Sequence, residues 1–237
     1  MVDLPERLLF ADPIQNQILG LTEGHLTQLD HGSNFVLIHK EMKKKFMGMV
    51  DAADKDGITL EIASGYRSFQ QQLLIFNKKF TGKKNIKDIN NQVVDISVLS
   101  KFEILNAILL YSALPGGSRH HWGCDIDIYA SNLLSDNQAL QLEPWEYEKG
   151  GPMYRLNLWL DKYAGDFDFY RPYSSYSGGV AVEPWHLSYR PIAENYQNNF
   201  SLNALTTCLE NSNIEGKETL LSVLPEIVNR YMHCNIG

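Results

Sequence analysis

Cysteine is scarce in this chain: Cys124, Cys208 and Cys234 are far apart, odd in number and form no Cys-x-x-Cys pair. A disulfide framework is therefore not expected. Long apolar runs are missing too. No stretch approaches the roughly 20 apolar residues of a membrane span, and Met1-Val2-Asp3-Leu4-Pro5-Glu6-Arg7 has neither the basic start nor the apolar centre of a secretion signal. As written the chain reads as soluble and cytoplasmic, or as periplasmic or envelope-facing if a leader has been trimmed. Positive charge is the third shortage: 21 Lys and Arg stand against 28 Asp and Glu, a formal net charge of -7. That balance disfavours a general nucleic-acid binder, which needs a basic face to neutralise phosphates. The densest basic run, Lys43-Lys44-Lys45, splays around a helix and reads as a solvated face.

What remains is an ordinary globular composition, 44% hydrophobic and 21% charged over 237 residues. This suffices for one well-buried domain with an appended helical piece. Residues 1–35 mix Pro5, Pro13, Gly20, Gly24 and Gly32 with scattered apolar residues, as an irregular arm with at most a short helix over 12–19 would. His25, His31 and His39 fall in or near it without a ligand-like spacing. From Asn34 the apolar positions Val36, Met42, Phe46, Met47, Val50 and Ala53 recur at three- and four-residue steps, predicting a helix that ends at Gly57. Ile58 to Ala63 alternates like a half-buried strand, and Ser68 is placed to cap a helix running on from Phe69. Further helices are expected over 101–113, 154–164, 203–209 and 217–232. Asp125-Ile126-Asp127-Ile128-Tyr129 alternates as a strand, with the two aspartates and Tyr129 on one face and the isoleucines on the other. Glu143-Pro144-Trp145-Glu146 echoes a later Glu-Pro-Trp-His but lacks the histidine, and reads as chance or a loop. The aromatic-rich run from Asp166 to Tyr176 suits a rim that contacts a peptide or sugar, and suits ordinary packing nearly as well. His233 reads as a charge complement at a helix end.

The chemistry concentrates in Ser118-Arg119-His120-His121-Trp122-Gly123-Cys124-Asp125-Ile126-Asp127 and in Glu183-Pro184-Trp185-His186. Catalytic zinc takes three ligands from His and Asp or Glu and keeps a position for water. His120, Asp127 and His186 fit that requirement. Two neutral imidazoles and one carboxylate leave about +1 on the site, which lowers the pKa of bound water toward ~7 and attracts anionic groups. Glu183, three positions before His186, can reach that water without taking a metal position, which is where a general base must be. Either piece alone has a bland explanation, a capped His–Asp pair or a chance Glu-x-x-His. Cys124, between the ligands, reads as a packed thiol rather than a fourth ligand.

Together the two pieces resemble the Ser-x-His-x-x-Gly-x-x-x-Asp and Glu-x-Trp-His motifs of zinc peptidases that include VanY-type D-alanyl-D-alanine carboxypeptidases, VanX-type dipeptidases and, more remotely, lysostaphin and hedgehog domains. Ser64-Gly65-Tyr66-Arg67-Ser68, with Gln72 four residues beyond, is similar to a segment of the VanY branch, so the resemblance spans residues 36–192. One residue departs from the pattern: Asp125 stands where that family commonly has Ala. It either holds a His or Arg behind the site or points outward.

The resemblance implies an α+β fold, a small mainly antiparallel sheet with helices packed on one side and the zinc site on the open face. It implies a division into an N-terminal arm (1–35), a zinc peptidase catalytic domain (36–192) and a C-terminal helical extension packed on the same domain (193–237). The implied activity is zinc-dependent D-alanyl-D-alanine carboxypeptidase action on peptidoglycan stem peptides. In that scheme His120, Asp127 and His186 hold Zn²⁺, Glu183 is base then acid, and Arg67 stabilises the oxyanion. Ser118, Gln72 and Trp185 orient the substrate. Within the same family an L,D-carboxypeptidase, a dipeptidase or an endopeptidase remains an alternative. A non-catalytic zinc-containing wall-binding module is the alternative from another class, against which a retained base at Glu183 weighs.

Overall fold

The computed structural model describes residues 8–31, 34–136 and 138–232. Met1 to Arg7, His233 and Cys234, on which some of the expectations above rest, lie outside the described residues. A short helix α1 (Pro13–Ile18), capped by the Asp12 carboxylate, leads into a hairpin of β1 (Leu26–His31) and β2 (Asn34–His39). Helix α2 (Lys43–Lys55) then precedes β3 (Leu60–Ser64), and α3 (Phe69–Phe80) and α4 (Lys101–Leu109) follow. The chain continues through β4 (Asp125–Ala130), α5 (Pro144–Tyr147), α6 (Tyr154–Tyr163), β5 (Phe169–Tyr170) and β6 (His186–Tyr189). It closes with α7 (Arg190–Asn198), α8 (Leu202–Glu210), α9 (Lys217–Ser222) and α10 (Leu224–Tyr231). Among the described residues no helix is long and apolar enough to cross a membrane.

The helix expected from Asn34 begins only at Lys43, because Asn34–His39 pairs with β1 along its whole length. Phe35-Val36-Leu37-Ile38 is an aromatic and branched run that suits a pleated surface, and a strand followed by a turn mimicked helical spacing. The helix expected over 217–232 is two helices meeting at Val223. Pro225, in the first turn of α10, has no N–H with which to continue the ladder of α9. The capping of α3 is as expected: Ser68 Oγ accepts from the Gln71 N–H while Gln71 reaches back to the Ser68 N–H.

The main sheet runs β3-β4-β6-β5, all antiparallel. Its register sorts residues by face. Ile62 opposes Ile128, Leu60 opposes Ala130 and Ile126 opposes Leu187, which makes one face apolar. Asp127 opposes His186 and Asp125 opposes Ser188, which makes the other polar. The apolar face packs on Phe46, Met49 and Ala53 of α2, Leu156 and Leu160 of α6 and Ile192 of α7 in one cluster. Truncating such a side chain to Ala costs about 2 to 5 kcal/mol. A second cluster joins Phe69, Leu73 and Phe76 of α3 to α4 and to α8, α9 and α10.

That second cluster corrects the expected layout. Helices are not confined to one side and the metal triad is not on an open face: His120, Asp127 and His186 are only 7%, 6% and 3% exposed. The reason is packing. Helices α3, α4 and α10 join their apolar faces in the second cluster, and Ile75, Leu109, Ile227 and Tyr231 from them line the same cleft as Asp127 and His186.

His25 is buried among the rings of His39, Tyr66 and Tyr196. Burial, helped by the neighbouring His39, pulls its imidazole down to about 4 from 6.5. The folded state thus favours neutral His25, so its contribution is complete above pH 6.5 and is lost as pH falls from there toward about 4. Replacing His25 with Phe should flatten that part of the stability profile. Urea midpoints measured between pH 7 and 4 check this; parallel profiles for the two proteins would contradict it.

Candidate metal centre and cleft

Three pieces of chain meet at the centre. The first is the exit of β3, where the pairing with β4 shifts between Ile62 and Ser64 and the chain turns through Gly65. Gly65 is required by close approach, because a Cβ there would meet the Leu37 carbonyl at 2.7 Å. Its own carbonyl lies 3.0 Å from His120 Nδ1, and the Arg67 N–H donates to the His120 carbonyl at 3.1 Å. The second is the 3-10 turn Arg119–Trp122, ended by Gly123 at φ 70. A Cβ on Gly123 would strike Leu26. The third is the β4–β6 pair, with Asp127 on β4 opposite His186 on β6, which is entered through Glu183-Pro184-Trp185.

These pieces bring His120, Asp127 and His186 together, with one ligand atom of each within 4.8 Å of the others. His120 Nε2 lies 3.4 Å from Asp127 Oδ2, and His186 Nδ1 lies 3.6 Å from Asp127 Oδ1. The remaining ring nitrogens face fixed partners: His120 Nδ1 the Gly65 carbonyl, His186 Nε2 the Asp125 carboxylate at 3.0 Å. Asp127 Oδ1 is buried without a hydrogen-bond partner. An orphan carboxylate oxygen beside two imidazole nitrogens, each backed by an acceptor, is the donor set that zinc takes.

The electrostatics agree. Burial alone would pull His186 down, but hydrogen bonds to Asp125 and Glu183 and the charge of Asp127 push it up to about 10. Burial also opposes ionisation of Asp125, yet the Arg119 guanidinium and His186 bring it down to about 2. Asp127 is likewise held below the usual carboxylate range, against its burial, by His120 and His186. The centre is a pocket of negative potential that a divalent cation relieves by displacing a proton. Cys124, buried with its thiol pushed well up by burial, is outside the ligand group, as expected of a packed thiol.

Glu183 sits beside the triad, its Oε2 3.0 Å from His186 Nδ1, the nitrogen that faces Asp127. Arg67 lines the same cleft and donates to Gln72 Oε1 and Ser64 Oγ, both at 3.0 Å. Gln72 is fully buried behind it, its amide nitrogen donating to the Ala113 carbonyl at 2.6 Å, and is not a cleft wall residue. Ser118 lines the cleft with a buried Oγ that has no hydrogen-bond partner. Trp185 lines it as well, its ring 5.8 Å from that of Tyr147. The cleft holds about 380 Å³.

Sequence reasoning missed part of the wall. Glu143, read as part of a chance echo or a loop, caps α5, accepts from Lys87, Asn91 and Trp145 and lines the cleft. Tyr173, from the aromatic-rich run, sets its ring edge-on to His186 at 5.0 Å. Asp125 points inward, where it holds both an Arg and a His: Arg119 Nε donates to it at 2.7 Å, alongside its bond to His186. The alternation of residues 125–129 was the signal for that placement.

A His-Asp-His triad at the floor of a cleft, with a glutamate three residues before the last histidine, defines a mononuclear zinc peptidase. The chain belongs to the VanY family of D-alanyl-D-alanine carboxypeptidases, which it matches over residues 36–192. An uncharacterised protein of Haemophilus influenzae is 41% identical over 121 residues, 50% of this chain and 92% of that protein. A D-alanyl-D-alanine carboxypeptidase of Enterococcus faecalis is 29% identical over 178 residues, 74% of this chain and 55% of that protein. Among solved structures, a variant of the vancomycin resistance D,D-pentapeptidase VanY from a VanB-type cassette, in complex with Zn(II), is similar at 27% identity and a TM-score of 0.50. The similarity covers 76% of this chain and 88% of that one.

The purified protein should contain about one equivalent of zinc. His186→Ala should lower that content, measured by elemental analysis after dialysis; unchanged metal would remove His186 from the site.

Proposed function

We propose that this protein is a zinc-dependent D-alanyl-D-alanine carboxypeptidase that trims peptidoglycan stem peptides. The observation that carries the reading is the Asp127 carboxylate set between two imidazoles, Oδ2 by His120 Nε2 and the orphan Oδ1 by His186 Nδ1, with Glu183 adjoining His186. When bound, zinc supplies a Lewis acid that polarises the scissile carbonyl and lowers the pKa of a coordinated water toward ~7.

The rest falls to the protein. Glu183 accepts the proton of the attacking water and returns it to the leaving amine, its carboxylate being held at the metal side of His186. Arg67, fixed by Gln72 and Ser64, presents its guanidinium to the oxyanion that forms at the carbonyl. Gln72 orients substrate through Arg67, whereas Ser118 offers its unpartnered hydroxyl directly. Trp185 gives the peptide a rigid apolar wall. Residues 36–192 carry this chemistry as the catalytic domain, with the N-terminal arm and the C-terminal helices as its flanks.

Release of D-alanine from a D-Ala-D-Ala-terminated pentapeptide, abolished by chelator and restored by zinc, tests the reading. No release under any metal condition would overturn it. Glu183→Gln keeps the size of the side chain but cannot accept a proton, so zinc should stay while turnover falls ~10²-fold or more. Near-normal turnover in that variant would remove Glu183 from the base role.

Arg67 and the zinc make two positive elements in one cleft, which favours a substrate with a free terminal carboxylate. A hydrogen bond to a charged group contributes roughly 1.5 to 3 kcal/mol. Amidating the terminal carboxylate should therefore lower kcat/KM about tenfold to hundredfold. Equal rates on free and amidated peptides, with cleavage inside the stem, would make the enzyme an endopeptidase with the same zinc chemistry.

A further inference from the structure

Behind the triad lies a second buried constellation. Asp125, with no solvent exposure, accepts at Oδ1 from Arg119 Nε at 2.7 Å and faces His186 Nε2 with the same oxygen at 3.0 Å. Its Oδ2 accepts from Ser188 Oγ at 2.9 Å and from the Cys124 thiol at 3.4 Å. Arg119 Nη2 donates in turn to Tyr170 Oη at 2.7 Å and to Ser188 Oγ at 2.8 Å, and its guanidinium stacks 4.4 Å from the Trp122 ring centroid. Three members are set by the sheet, Asp125 opposing Ser188 across β4 and β6 and Ser188 opposing Tyr170 across β6 and β5, while Arg119 and Trp122 come from the 3-10 turn before β4.

The geometry points to Asp125 as the positioning residue of the zinc site, with Arg119 as the cation that keeps it in place. A carboxylate in this setting can only accept, so the imidazole of His186 must carry its proton on Nε2. Once a cation displaces the proton that Nδ1 shares with Glu183 Oε2 at 3.0 Å, the lone pair lies on Nδ1, the atom 3.6 Å from Asp127 Oδ1. The contact also blocks rotation of the ring and makes Nδ1 more basic, and both effects strengthen metal binding. Without Arg119 the carboxylate would stand unpaired in the interior. The two residues form one device that stands outside the ligand group.

This inference rests on the zinc reading, and the experiment separates the two. Zinc affinity of the full chain would be measured by competition with a chromophoric chelator for the native protein, Asp125→Ala and the double variant Asp125→Ala/Arg119→Met. Both variants should bind zinc about 10- to 100-fold more weakly. Asp125→Ala alone also strands the Arg119 charge, so its urea midpoint should fall. The double variant should recover the midpoint and keep the weakened zinc affinity, a split that a merely structural role would not produce. In the zinc-loaded native protein a downfield imidazole N–H proton signal, bonded to a carboxylate, should be seen and should vanish in both variants. A double variant that binds zinc as tightly as the native chain would overturn the role of Asp125 alone. A native chain that takes up no zinc would overturn the zinc reading beneath it.

Discussion

The antiparallel register of β4 on β6 is the constraint on which the rest depends. It sets Asp127 opposite His186 and Asp125 opposite Ser188, so residues from two distant stretches arrive as neighbours on one face. A slip of one residue would turn His186 toward the apolar cluster and bring Leu187 to the metal. The slip is prevented by what lies on the other face, where Ile126 and Leu187 are paired and fully buried. Hydrophobic burial on one side thus holds the ligand geometry on the other.

That arrangement brings several charged groups into a poorly solvated place. Burial opposes the ionisation of Asp125 and Asp127, and both are nevertheless held in the charged form by cationic neighbours. Arg119 is an internal counter-charge on one side of His186, and the metal is the counter-charge on the other. A centre with only one of these would leave a buried carboxylate uncompensated, which is among the costliest defects a core can carry. Stability of the fold and competence for zinc are therefore linked through the same few side chains.

How much of this is legible in the sequence depends on whether the signal is chemical or geometric. The triad is legible because its residue types are those the ion takes. The strand carrying Asp125 and Asp127 is legible because strict alternation permits few other readings. The hairpin of Leu26–His31 and Asn34–His39 is not, since Val36 and Met42 fall at helical spacing although one is in a strand and the other in a turn. Gln72 shows a second limit: its place in a motif singles it out, while only the structure shows that it is buried and accepts from Arg67. Burial of the centre was illegible for a third reason. It comes from α3, α4 and α10 facing the sheet across the cleft, a packing relation between segments that share no motif.

The two walls of the cleft differ in how firmly they are placed. The sheet wall, with Asp127 and His186, is fixed by backbone hydrogen bonds and a paired apolar face, and admits little movement without loss of register. The helical wall, with Ile227, Tyr231 and Met232, is fixed by side-chain packing and by contacts such as Tyr231 Oη on Asn106 and the close seat of Met232 against Gly117. Packed helices repack more readily than a paired strand changes register. The ligand geometry is thereby carried by the stiff wall, where sub-ångström placement matters. Ser118 joins the two, since it follows Gly117, against which Met232 is seated, and precedes His120 by two residues.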